Sequence, residues 1–354
     1  LMASNRNTIN TGMFGNITAN YSATGVSVDP SNNNSVTTLD FGDILGLHDS
    51  GFGVVLGSAD DNIIGTGDFG EIVGQDGNAG GVRLMASNRN TINTGMFGNI
   101  TASQWAYGVS LSQSDFNIVT AVSYISIQGT EYAMGIQVQT TSNNNTFADM
   151  TFYEVCAQNN DAYGVQLIDS AHDNEFTEII LINVSASTNY FGLYIEQSSR
   201  NAYICGEITN CGHGIFIESG YHNIIRRNIV QENAVAGTGA RLMEQTIGTQ
   251  IHLNCFIDNT LQASDNGTDN NWDNNYWSDY TGTPAYYLIP AGTAGSQDNN
   301  PLGDCPLFGL PPVGVGGEVL PVNVFELLAP YIVAALALVV LLGLAVVGIR
   351  RRSK

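Results

Sequence analysis

Two groups of side chains in this sequence have the types and spacing to do chemistry. Four residues after Gly192 and Gly214 stand Glu196 and Glu218, and eight after them stand Arg200 and His222. On neighbouring windings of a regular scaffold, these could supply the acid, electrostatic clamp and base of a polysaccharide lyase or glycosidase. Asp169 and His172 stand one repeat earlier. The second group is Asp40 and Asp43 with Asp68 and Glu71, at equal offsets from Gly25 and Gly53. Four stacked carboxylates repel unless solvated, protonated or bridged by a cation. Oxygen-only ligands on a rigid frame suit Ca2+, so calcium is the one cofactor to which these residues point. Each group also has a plainer reading, which is preferred: a solvated acidic face for the second, and opposite charges stacked along an outward strand for the first.

Whether such residues meet depends on the repeat that carries them. Residues 1–19, LMASNRNTINTGMFGNITA, recur unchanged as residues 84–102. Weaker copies share a Gly-x-x-aliphatic register at Gly25, Gly53, Gly81, Gly108, Gly135, Gly164, Gly192, Gly214 and Gly239. The aliphatics are Val28, Leu56, Leu84, Leu111, Val138, Leu167, Ile195, Ile217 and Leu242. Nine residues after the first eight glycines stand Asn34, Asn62, Asn90, Asn117, Asn144, Asp173, Asn201 and Asn223, too regular for chance. A second apolar position follows each Asn (Ile64, Ile92, Val119, Phe147, Phe176, Tyr203, Ile225), and a third begins at Phe41, Phe69, Phe97 and Tyr124. Each unit thus holds three short period-2 segments with no helical period. The pattern predicts an all-β fold, a right-handed parallel β-helix in which like positions stack about 4.8 Å apart. The Asn row is expected at a bend, in the left-handed conformation, with its amides bonded to the Asn above and below. Leucine-rich repeats are the main competitor, but their Leu-x-x-Leu-x-Leu core is absent.

Composition narrows the partners. Residues 1–349 hold seven Arg and no Lys against 32 acids, a net charge of −25. That excludes a nucleic-acid partner, which needs a basic surface. Cations, polysaccharides and protein surfaces remain. Cys156, Cys205, Cys211, Cys255 and Cys305 form neither a C-x2-C pair nor a disulfide scaffold. Cys205 and Cys211 could bridge one bend, although buried free thiols are preferred. Residues 327–349 carry no charge, long enough to span a hydrocarbon layer as a helix, and residues 350–354, RRRSK, follow at once. A single-pass anchor in the lipid bilayer is expected, with a cytoplasmic tail and everything before it at the cell surface. The amino end begins with Leu and shows no signal peptide, so a fragment or processed form is expected.

Pro30 is the one proline before residue 284, as a continuous sheet requires. The solenoid is therefore assigned to residues 1–262, a cap to 263–302, a Pro/Gly stalk to 303–326, the membrane helix to 327–349 and the tail to 350–354. The cap is dense in Asn, Asp and aromatics, notably Trp272, Tyr276, Trp277, Asp279 and Tyr280. Trp272, Trp277, Tyr276, Tyr280, Tyr286 and Tyr287 could form a sugar-stacking platform, but a plug over an open solenoid end fits better.

The coils resemble the right-handed β-helix repeats of the NosD-like and carbohydrate-binding/sugar-hydrolysis families. The segment Asn271-Trp272-Asp273-Asn274-Asn275-Tyr276-Trp277-Ser278-Asp279-Tyr280, with Thr283-Pro284 and Asp298-Asn299-Asn300-Pro301-Leu302, is similar to the ending of NosD-like archaeal surface proteins. It departs from that ending at Asn275, Ala285 and Asn300. Pro321-Val322-Asn323 and Leu327-Leu328-Ala329-Pro330-Tyr331-Ile332 are similar to the anchors of such proteins. The resemblance implies a surface β-helix that binds or adheres to carbohydrate or to a surface-layer protein. A polysaccharide lyase, hydrolase or epimerase is the alternative, and an accessory to copper-site assembly a third reading. The scattered His48, His172, His213, His222 and His252 do not suggest a copper site.

Overall fold

A computed structural model describes residues 1–233 and 237–306. The expected parallel β-helix is what these residues form. One face is a ten-stranded parallel sheet, running from Ala23–Val28 to Leu261–Asp265 with one strand per coil. The coils add further strands to a second, 24-stranded sheet, for example Thr91–Asn93 and Met96–Ala102. The aliphatic row stacks in register: Val28 on Leu56, Leu56 on Leu84, Leu84 on Leu111, and onward to Ile217 on Leu242. The third row forms a stack of rings, Phe14, Phe41, Phe69, Phe97, Tyr124 and Phe152, with centroids 4.5–5.0 Å apart.

The glycine row exists because the chain passes too close to itself for a side chain. A Cβ on Gly135 would stand 2.4 Å from the carbonyl oxygen of Gly164, and one on Gly108 2.6 Å from that of Gly135. At this position the pairing skips the glycine, as between Thr24–Phe52 and Val26–Val54. The glycine and the residue after it, such as Gly25 and Val26, both face the core.

The buried amide ladder runs through Asn34, Asn62, Asn90, Asn117, Asn145, Asn174, Asn201 and Asn223. In each step the main-chain N–H and the side-chain amide of one Asn donate to the Oδ1 of the next, as Asn62 does to Asn90 at 2.9 and 3.0 Å. The expectation was one residue off in two coils, at Asn144 and Asp173. Both are exposed, with φ of 56° and 57°. Those bends hold an extra residue: Thr140 and Thr141 are both left-handed, as are Asp169 and Ser170, whereas the preceding coil has only Gln113 at that point. The left-handed site flanking the ladder is the residue before each ladder Asn (Asn33, Asp61, Arg89, Phe116), so the ladder residues themselves do not use that conformation.

Winding continues past the boundary expected at 262. Leu261–Asp265 pairs with Thr238–Ile247, Asn271–Asp273 with Gln250–His252, and Tyr276 with Cys255, all parallel. Closure comes from Tyr287–Leu288 and Gln297–Asp298, which pair antiparallel. Cys205 and Cys211 are free, and Cys255 is bonded to Cys305. The expected membrane helix 327–349, the tail 350–354 and stalk residues 307–326 lie outside the described residues.

Candidate functional site

Because the glycine and the residue after it both face the core in the nine strands that carry the glycine, the residues one before, two after and four after that glycine face away from the core. Over four successive coils this gives Tyr163, Phe191 with Tyr194 and Glu196, His213 with Phe216 and Glu218, and then Arg241. Tyr163 is registered on Phe191, Phe191 on His213, Tyr194 on Phe216 and Phe216 on Arg241. Their rings form an apolar cluster separate from the core. All of these except Glu196, together with Asp161 and Asn189, line a groove of about 340 Å3.

Acceptors in the groove are engaged. Asp161 Oδ1 accepts the Asn189 main-chain N–H and side-chain amide, each at 3.0 Å, and Oδ2 accepts the Tyr163 hydroxyl at 3.1 Å. The Tyr194 hydroxyl donates to Glu218 and lies 3.3 Å from Glu196 Oε2. Burial, then the neighbouring carboxylates, raises the pKa of both tyrosines. They are therefore protonated donors at neutral pH rather than bases.

His213 stacks on Phe191 with centroids 5.7 Å apart, and the Arg241 guanidinium lies 5.6 Å over the Phe216 ring. His213 Nδ1 lies 3.2 Å from the Thr238 main-chain N–H and 2.9 Å from the Thr238 hydroxyl; with the ring proton on Nε2 it accepts from both. Burial, then Arg241, lowers the pKa of His213; burial is likewise the first cause at His172 and His252. The unfolded chain therefore takes up these protons first. Stability is intact above the ordinary value of 6.5 and is lost as pH falls through it toward the folded values. The native chain's lead in unfolding midpoint over a His213→Asn variant is expected to shrink between pH 7 and pH 5. A lead that stays constant or widens contradicts this assignment.

The sequence-derived quartet divides in two. Glu196 and Glu218 meet through Tyr194, and Glu218 lines the groove. Arg200 and His222 lie in the bend, both left-handed, with φ of 56° and 54°. There Arg200 clamps Asp173 through two bonds of 2.7 Å, and His222 lies against Gly248. An offset of eight carries the chain off the strand, so these two do not join the carboxylates. Asp169 is also in the bend, and His172 Nδ1 accepts the Ser199 N–H at 2.9 Å.

The acidic rows do stack, and the scaffold uses them. Asp40 Oδ1 accepts the Asp68 N–H at 3.2 Å, Asp43 Oδ1 the Glu71 N–H at 3.0 Å, and Asp68 Oδ1 the Met96 N–H at 2.9 Å. All four carboxylates are exposed. Among the described residues, no three His, Cys, Asp or Glu side chains gather as a metal-holding group. In the end coils, Trp272 and Trp277 are buried on Phe256, and their indole N–H groups donate to Asp265 and Asp298. Tyr280 donates to the Pro284 carbonyl, Asp279 accepts the Tyr287 hydroxyl, and Tyr276 is half-buried. The signal for the groove was present in the sequence at other offsets: an aromatic or His just before Gly164, Gly192 and Gly214, and a large side chain two residues after Gly192, Gly214 and Gly239.

A solenoid of stacked coils with an aromatic and polar groove on one sheet defines the class. Residues 125–282, which include the groove, match the family described as periplasmic copper-binding protein (NosD). The NosD-like resemblance read from the sequence is borne out over that segment. Among solved structures, the chain is similar to the Azotobacter vinelandii mannuronan C-5 epimerase AlgE6 A-module, at 12% identity and a TM-score of 0.35, over 83% of this chain and 77% of that one. No curated protein matches the chain. The described residues do not fit copper: the histidines do not cluster, and the Nδ1 atoms of His172 and His213 accept main-chain N–H groups.

Proposed function

We propose that this protein is a cell-surface rod that holds polysaccharide in the groove of its ten-stranded sheet. The observation that carries the reading is the composition of that groove. Half-buried Phe216, packed on the buried rings of Phe191, Tyr163 and Tyr194, gives the groove an apolar floor for one side of a sugar ring, with carboxylates, an amide and a guanidinium around it. Support for a place outside the cytoplasm comes from the Cys255–Cys305 bond, which needs an oxidising compartment. The uncharged stretch 327–349 followed by RRRSK supports a membrane tether. A surface-layer protein that carries glycan would present the same chemistry. The enzymatic reading keeps Glu196 and Glu218, which meet through Tyr194, and loses Arg200 and His222.

The test is calorimetric titration of the full chain, in detergent, with polygalacturonate, a sulfated galactan and dextran, with and without EDTA. Binding without new reducing ends or unsaturated products is expected, with at least tenfold weaker affinity for Phe216→Ala. Turnover abolished by Glu218→Gln would replace display by catalysis, and no binding to any of the three would end the proposal. Calcium held by Asp40, Asp43, Asp68 and Glu71 would show as EDTA sensitivity. None is expected, because three of the four already accept main-chain N–H groups.

A further inference from the structure

The groove has an imbalance between donors and acceptors. Its carboxylates have partners within the protein: Asp161 takes three donors from Asn189 and Tyr163, and Glu218 takes the Tyr194 hydroxyl. Its strongest donors do not. Arg241 makes no hydrogen bond or ion pair with any described residue, in contrast to Arg89 on Asp60 and Asp61 and Arg200 on Asp173. The His213 ring accepts at Nδ1 from Thr238, so its Nε2–H is a second donor with no described acceptor. Both groups flank one ring: the His213 centroid is 5.4 Å from that of Phe216, and the guanidinium carbon is 5.6 Å from it. A half-buried guanidinium beside an imidazole N–H lacks a partner that supplies two acceptor oxygens and a negative charge.

We propose that Arg241 and the Nε2–H of His213 form a subsite for an oxyanion on the sugar chain, a carboxylate or a sulfate ester. The preferred ligand is then an acidic polysaccharide. This rests on the glycan reading above and adds the ligand class. Over more than about 8 Å the exposed acids are screened at physiological ionic strength, and Glu218, the charged carboxylate on the Phe216 strand, is engaged by the Tyr194 hydroxyl. Asp161 lies three coils from Arg241 along the groove. The end that receives the anion is therefore separated from the Asp161 carboxylate.

Two measurements on the full chain separate the possible outcomes. In the first, affinities for polygalacturonate, a sulfated galactan and dextran are compared between the native chain, Arg241→Gln and Arg241→Lys. The native chain is expected to prefer at least one acidic polymer to dextran by tenfold or more. Arg241→Gln should remove that preference, with Arg241→Lys in between because it loses the two-pronged geometry. In the second, the His213 ring resonance is followed during addition of galacturonate, galactose 6-sulfate or galactose. A saturable shift with one or both anions, absent with galactose and in Arg241→Gln, is expected, and the anion that gives it identifies carboxylate or sulfate.

If polymers bind with no acidic preference and the resonance is still, the subsite is refuted and the glycan reading stands. If the small anion shifts His213 but no polymer binds, the subsite stands and the glycan reading fails. Silence in both measurements refutes both.

Discussion

Replacing Asn117 by alanine is expected to destabilise the protein by about 4 kcal/mol, since each buried group left without a partner costs about 1–3 kcal/mol. The Asn117 amide is fully buried and joins three coils. Its Oδ1 accepts the Asn90 main-chain N–H at 2.9 Å and the Asn90 side-chain amide at 3.0 Å. Its Nδ2 donates to the Ser87 and Asp115 carbonyls and to Asn145 Oδ1. Alanine leaves two donors stranded inside the bend and removes the three heavy atoms of the carboxamide. In a stacked fold each coil is stabilised by its neighbours, so one broken interface weakens both sides. Asn144→Ala is the control: the side chain is exposed, and a change within about 0.5 kcal/mol is expected. Urea unfolding followed by far-ultraviolet circular dichroism measures both. Equal costs at Asn117 and Asn144 would contradict the ladder's register.

Gly135→Ala should cost about 3 kcal/mol or prevent folding, at or beyond the upper end of usual overpacking penalties. The new Cβ would sit 2.4 Å from the Gly164 carbonyl oxygen and 3.2 Å from a Phe152 ring carbon. A side chain could rotate away, but the main chain of the next coil is held by its own ladder. Gly303→Ala, where a Cβ meets nothing within 4 Å, should be within about 0.5 kcal/mol of native in the same assay. Soluble expression of Gly135→Ala with an unchanged unfolding midpoint would contradict the close approach of the coils.

Both effects explain why the winding was legible in the sequence. A backbone contact at one point of every coil admits only glycine, and a buried ladder at another admits only a short amide. The two rows therefore recur whatever else varies. Where the reading slipped, the cause was local. Asn143, Asn144 and Asn145 stand side by side, and only the extra bend residue at Thr140–Thr141 decides which one enters the ladder. Beyond Gly239 the glycine row has no successor. Gln262 provides the opposing carbonyl instead, so the last windings looked like a cap.

The site was half legible for a related reason. Equal offsets from glycine identify neighbours but not the face on which they lie. The inward facing of each glycine and the residue after it turns the positions one before and two after that glycine outward, bringing Phe191, Tyr194, His213, Phe216 and Arg241 together. Glu196 and Glu218 were found because four residues on is still strand, whereas Arg200 and His222 had passed into the bend. The Cys255–Cys305 pair joins residues 50 apart in sequence, and only the closing of the end coils brings them together.

The seat of the ligand can be measured through the histidines. His213 lines the groove as a neutral ring with a free Nε2–H, whereas His48 and His222 are exposed elsewhere. Carbethoxylation of the full chain by diethyl pyrocarbonate, with and without a saturating amount of the tightest-binding polysaccharide, gives a rate for each ring by mass spectrometry. Protection of His213 alone, with His48 and His222 reacting at their free rates, is the predicted result. An unchanged rate at His213 while the polysaccharide is bound would place the ligand elsewhere and contradict the account.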